Sequence, residues 1–171
     1  MNRQDELAKR NFYDELMQLR DEQRKNAANA IAVVKGTELP WETNRQGKMR
    51  WYLHPNMTDV AIRSLIFVEI EIPAGSRTGR QRIQGGHVLY VWEGRGYTEI
   101  DGTKHFWETG DVINLPLLTE GIVVQHFNID PDSPVRLLYA QPNYAHMLGV
   151  DMGSGFEQLE DSPDYRASGG K

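Results

Sequence analysis

Gly75 to Asn128 reads GSRTGRQRIQGGHVLYVWEGRGYTEIDGTKHFWETGDVINLPLLTEGIVVQHFN, a stretch in which short apolar runs alternate with glycine-centred turns. His87 to Trp92 is continuously apolar and aromatic after the histidine, and Glu93-Gly94-Arg95-Gly96 supplies turn chemistry because glycine reaches positive φ without strain. A hairpin is expected there. A second hairpin is expected over Tyr97 to Ile100 and Thr103 to Trp107, where Asp101-Gly102 suits a type I′ turn. Gly110-Asp111 turns into Val112 to Leu115, and Gly121 leads into Ile122 to Ile129. Upstream, Ala61 to Ile72 alternates over its second half, with Phe67, Glu69 and Glu71 on one face and Val68, Ile70 and Ile72 on the other. That is the pattern of a half-buried strand. Downstream, Pro131 and Pro134 precede a last apolar strand, Val135 to Ala140. Short strands at regular intervals between turn residues imply an all-β, closed or double-sheet architecture and not alternating β and α units.

The flanks have a different character. Residues 3 to 29 lack Pro and Gly, and Ala8, Phe12, Leu16 and Leu19 fall on one stripe among charges, which predicts an amphipathic helix. A stripe with no obvious partner in so short a chain implies a homodimer built on it. Ala30 to Val34 is a candidate strand, Gly36 to Gly47 an irregular connection, and Pro55 ends the element that holds Trp51 to His54. Past Pro142 the chain turns polar and acidic, and Ser162 to Lys171 holds too little apolar surface to offset the entropy of ordering, so a mobile end is expected. The organisation read from this is a lead-in over residues 1–59, a barrel over 60–141 and an extension over 142–171.

The chain has no cysteine, which removes disulfides, thiolate metal sites and a cysteine nucleophile. A net charge of −5 without a basic run argues against a nucleic-acid partner. The charged N-terminus is unlike a signal peptide, and no apolar run approaches the roughly 20 residues that span a bilayer, so no membrane partner and a cytoplasmic location are expected.

The spacing of Gly75, Gln81, Ile83, His87 and Gly94 matches G-x5-H-x-H-x3-E-x6-G, the first motif of the cupin family, without a gap. Gly110-x5-Pro116 and Gly121-x2-Val124-x3-Asn128 match the second, G-x5-P-x-G-x2-H-x3-N, with three extra residues between Pro116 and Gly121. The chain therefore resembles a single-barrel cupin. The resemblance implies a double-stranded β-helix, or jelly-roll, barrel preceded by the N-terminal amphipathic helix. Tyr90-Val91-Trp92-Glu93-Gly94-Arg95-Gly96-Tyr97 and His126-Phe127-Asn128 are similar to gentisate 1,2-dioxygenase-like cupins, which would imply iron and an aromatic acid substrate. Where the family carries His, His, Glu and His as metal ligands, Gln81, Ile83, His87 and Val124 stand here.

Strand alternation puts Gln81 with Ile83 and Val124 with His126, and the cupin alignment turns those faces inward, where His87 joins them. Three readings compete for this interior. In the first, His87, His126 and Gln81 ligate a shifted metal, with Fe(II), Mn(II), Ni(II) or Zn(II) as the ions to consider, in a ring-cleaving dioxygenase of gentisate type. An amide oxygen is a poor donor beside imidazole, and such ions want three good ones. In the second, a small organic ligand, an aromatic acid among the options, occupies an apolar pocket of Gln81, Ile83, Val124 and Tyr90, with His87 and His126 as its polar and acid–base groups. In the third, the barrel is filled and structural. The second is adopted, because aliphatic side chains at two ligand positions do not preserve metal chemistry. Arg82 is included in the ligand set because twist near the barrel mouth would aim its planar fork at a carboxylate, although alternation alone faces it outward.

Overall fold

The computed structural model describes residues 2–143 and 156–169. Two helices open the chain, α1 (Arg3–Leu7) and α2 (Phe12–Ala28). The strands follow as β1 (Glu42–Asn44), β2 (Gly47–Leu53), β3 (Leu65–Ile72), β4 (Arg80–Ile83), β5 (His87–Glu93), β6 (Arg95–Ile100), β7 (Thr103–Glu108), β8 (Val112–Leu115), β9 (Ile122–Asn128), β10 (Val135–Pro142) and β11 (Phe156–Glu160), and α3 (Pro163–Ala167) comes last. They form two antiparallel sheets, one in the order β1-β2-β3-β10-β5-β8 and the other β11-β4-β9-β6-β7. The inward faces supply the core between them. Val68, Leu89, Val91, Ile122, Val135 and Leu137 are fully buried, each at an alternate position of its strand. This is the expected all-β, jelly-roll architecture, with strands that begin before residue 60 and resume after residue 141.

The Asp101-Gly102 turn forms as its chemistry requires: both residues hold positive φ, 47° and 83°, and β6 pairs with β7 across them. The hairpin expected around Gly94 does not form. β5 pairs with β10 and β8, and β6 with β7 and β9, so the chain crosses from one sheet to the other at a single residue. Gly94 sits there at φ +93°, where a Cβ would lie 2.6 Å from Val135 Cγ2, and the bend it permits turns the corner of the barrel instead of reversing the strand.

The single helix expected over residues 3–29 is two. Asn11 accepts a hydrogen bond from the backbone N–H of Asp14 at 3.2 Å, and this cap starts α2 afresh after the break at Ala8 to Arg10. Phe12, Tyr13 and Leu16 on α2 are exposed. The strand expected over Ala30 to Val34 is reduced to one parallel bridge, Ile31 to Val60.

The described residues past Pro142 hold a strand and a helix. β11 pairs with β4 as the edge of the second sheet, and α3 is capped by Ser162, whose hydroxyl accepts from Tyr165 N–H at 3.2 Å, with Pro163 in its first turn. Ser162 is fully buried, and its N–H reaches Arg45 O at 2.8 Å. Edge pairing at β11 and the cap at Ser162 give these residues local structure that a count of apolar residues does not register.

On the outer face of β2, β3 and β10, Arg50 forks onto the buried carboxylate of Glu69, and Lys48 and Arg136 hold Glu71 at 2.7 and 3.3 Å. Charge pairing thus satisfies the acidic half of the β3 alternation while the aliphatic half faces the barrel.

Candidate functional site

The two sheets enclose a cavity of about 400 Å³. Its apolar wall is made by alternate positions of several strands, among them Met49 and Trp51 of β2, Val68 and Ile70 of β3, Ile83 of β4, and Val124 of β9. The polar groups on it are few. Gln81, His126, Tyr139, Gln141 and Gln158 converge from four strands, and Asn44, Arg45, Gln46, His54 and Asn56 stand on the connections and strand ends that also line it. Among the described residues, no carboxylate lines it.

His126 is buried on β9, its backbone pinned to Thr78 by a pair of 3.0 Å hydrogen bonds, one to the hydroxyl and one from the Thr78 N–H. Trp107 Nε1 donates to Thr98 Oγ1 at 3.0 Å, and Thr98 Oγ1 lies 2.8 Å from His126 Nδ1. An indole N–H only donates, so Thr98 accepts from Trp107. Its own proton, in a fully buried hydroxyl, goes to Nδ1, because leaving it unpaired would cost about 1–3 kcal/mol. The ring is therefore the Nε2–H tautomer. Nε2 has no protein partner among the described residues and is not sealed from the cavity that His126 lines.

His87 lies on the opposite sheet. Its Nδ1 is 2.5 Å from Tyr139 Oη, which is also 2.9 Å from Gln141 Oε1. Tyr139 lines the cavity and His87 stands behind it, edge-on to its ring at 5.2 Å. Burial pushes both His87 and His126 down to about 4 and pushes the Tyr139 hydroxyl up, so at neutral pH all three are uncharged.

Gln81, on β4, stands opposite Val124 on β9. Its Nε2 donates to Gln158 Oε1 at 3.1 Å. Gln158 comes from β11, and its amide nests over Gly79, where a Cβ would stand 2.3 Å from Gln158 Nε2 and 2.6 Å from Glu160 O. Gly79→Ala is expected to displace this amide and loosen the edge pairing, at a cost of about 1–3 kcal/mol read from urea denaturation.

Of the residues expected in the site, Gln81, Ile83, Val124 and His126 line one cavity, and His87 reaches it through Tyr139. Arg82 and Tyr90 do not. Arg82 is exposed on the outer face of β4, where the strand keeps its regular alternation between Gln81 and Ile83, and Tyr90 is 44% exposed between the buried Leu89 and Val91. β4 pairs with β9 in unbroken register from Gln81 to Ile83, and this alternation keeps Arg82 on the outer face. Sequence reasoning missed Tyr139, although Val135, Leu137 and Tyr139 share the inward period of β10, and it missed Gln158, which lies in the polar extension past Pro142. His146, which would cover the barrel mouth only if the chain past Pro142 folded back, lies outside the described residues.

The metal that the cupin resemblance implies does not fit these residues. Among the described residues, no three His, Asp or Glu side chains are grouped to hold an ion. His126 carries its proton on the nitrogen that faces the cavity, His87 spends Nδ1 on Tyr139, and Gln81 offers an amide oxygen. Ile83 and Val124 contribute no donor at all.

No family model matches the chain. An uncharacterised protein of Methanocaldococcus jannaschii is 29% identical over 109 residues, which covers 63% of this chain and 82% of that protein. Among solved structures, a cupin-like protein of Thermotoga maritima superposes with a TM-score of 0.51 at 18% identity, over 70% of this chain and 87% of that one. The polyketide cyclase RemF of Streptomyces resistomycificus gives 0.54 at 19%, over 66% and 79%. The Streptomyces nucleoside dehydratase Pac13 gives 0.53 at 12%, over 78% and 99%. At such identities the likeness is one of fold. The chain carries the cupin fold, a jelly-roll barrel of two antiparallel sheets around a single cavity-bearing core.

Proposed function

We propose that this protein binds a small organic molecule inside the barrel, in the cavity between β4, β9 and β10, without a resident metal. The observation that carries the reading is the cavity itself: about 400 Å³, walled by aliphatic and aromatic side chains, with a few polar groups aimed into it. Pockets for small molecules have this size and composition. It also argues against a filled structural barrel. Any transformation of the ligand would fall to His126 Nε2–H and to the Tyr139–His87 pair, which can pass a proton to or from a bound molecule within hydrogen-bond reach. The barrels of RemF and Pac13, named as a cyclase and a dehydratase, lend the reading support from the same fold. A gentisate-type ring cleavage has no equal support, because its iron would lack donors here.

The test is to fill the cavity. Val124→Trp is expected to abolish binding of any small molecule that raises the melting temperature of the parent protein, while Val123→Trp, one residue along and on the other face of β9, leaves that binding in place. Binding that survives Val124→Trp would reject the site. The homodimer is likewise proposed, on the exposed Phe12, Tyr13 and Leu16 of α2. Sedimentation should find a dimer for the full chain and a monomer once residues 1–29 are removed, and an unchanged dimer would refute this use of the helix.

A further inference from the structure

We propose that the cavity selects an uncharged ligand carrying a hydrogen-bond donor beside an acceptor, the donor meeting Gln81 Oε1 and the acceptor meeting His126 Nε2. The inference rests on the small-molecule reading above and narrows it to a ligand class. Two chains of hydrogen bonds fix the two protein atoms. Gln158 Nε2 lies 2.8 Å from Glu160 O and 3.4 Å from Arg45 O. Backbone carbonyls only accept, so the atom beside them is the amide nitrogen, and Gln158 Oε1 must face Gln81. Gln81 then has to present its own nitrogen to that oxygen, at 3.1 Å, which leaves Gln81 Oε1 as an acceptor with no donor among the described residues. On β9, the Trp107–Thr98 chain fixes His126 as the Nε2–H tautomer in the same way. Gln81 stands opposite Val124, and His126 is two residues along on the same face. One acceptor and one donor therefore stand as diagonal neighbours on adjacent strands, within about 7–8 Å at the backbone and closer at the side-chain ends.

The charge around them excludes an ionised group at this point. Among the described residues no carboxylate lines the cavity, and Arg45, in the turn between β1 and β2, is exposed. A carboxylate seated against Gln81 Oε1 would meet a lone pair and lose its water without a buried cation in exchange. A carboxylate held at Arg45 instead would sit near solvent, where water screens a charge pair and weakens it.

The experiment titrates the full-length protein, by NMR, with 2-pyridone, which carries donor and acceptor on one edge, with N-methyl-2-pyridone, which lacks the donor, and with benzoate and toluene. The expected result is that 2-pyridone binds about tenfold more tightly than the N-methyl compound or benzoate, the size of one net hydrogen bond. That preference should collapse in Gln81→Met and, through the lost orientation of Gln81, in Gln158→Met, with toluene binding retained in both. If toluene binds the parent but 2-pyridone shows no advantage, or if the advantage survives in both variants, the donor–acceptor inference fails and the pocket stands. If none of the four binds, both fail.

Discussion

Brought from neutral pH to pH 5, the protein should lose about 2 kcal/mol of unfolding free energy for each of His87 and His126. Burial holds both rings to a pKa of about 4, against about 6.5 in an unfolded chain. Between those values the unfolded state binds more protons than the folded one, so stability falls as pH falls. The contribution is complete above about pH 6.5 and gone once pH drops below about 4, where it totals about 3 kcal/mol per ring. Against a typical domain stability of about 5–15 kcal/mol, the two together bring the barrel near unfolding. Urea titrations across this range measure the slope. The interval from about pH 6.5 to 5 is the informative one, since ordinary carboxylates titrate below it. His126→Asn keeps an acceptor for Thr98 and should remove about half of the slope; a parent protein equally stable at both ends of that interval would contradict the burial of these rings as neutral groups.

Replacing both Ile83 and Val124 by histidine should create an affinity for nickel or zinc. The two positions share the inner faces of β4 and β9 with Gln81 and His126, so the introduced imidazoles face one space. Imidazole nitrogen is a strong donor for these ions, and the aliphatic side chains it replaces are none. Without metal, each substitution places a polar ring in an apolar wall and should cost about 1–3 kcal/mol. With metal at about a hundredfold over its Kd, binding to the folded state alone returns about 2.7 kcal/mol, or about 5–10 °C in melting temperature. No rise in the double variant would mean that the two positions do not converge.

Alternation made much of this site legible in advance. Gln81 with Ile83 and Val124 with His126 follow from a period of two on strands whose inward face is apolar, and the same period, applied without exception, would have left out Arg82 and Tyr90. Arg82 was included on a supposed irregularity that β4 does not show between Gln81 and Ile83, and Tyr90 takes the outward position between the buried Leu89 and Val91. The corner at Gly94 was not legible, because a glycine-rich turn that reverses a strand and one that passes it to the facing sheet use the same residues. What separates them is Val135, packed against Gly94 from a distant strand. Gln158 was hidden for a related reason. Its segment is polar and is ordered by pairing with β4 and by the Ser162 cap, interactions that no count of local apolar residues registers. The tautomer of His126 depends on Trp107 and Thr98, which meet it only in the folded barrel.

The central proposal for this interior is a pocket and not a metal centre. Elemental analysis of the parent protein, purified without chelator and then equilibrated with iron, manganese, nickel and zinc in turn, tests it. The expected result is far less than one ion per chain for every metal, and no metal-induced rise in melting temperature. A stoichiometric ion in the parent, lost in His126→Ala or His87→Ala, would contradict it.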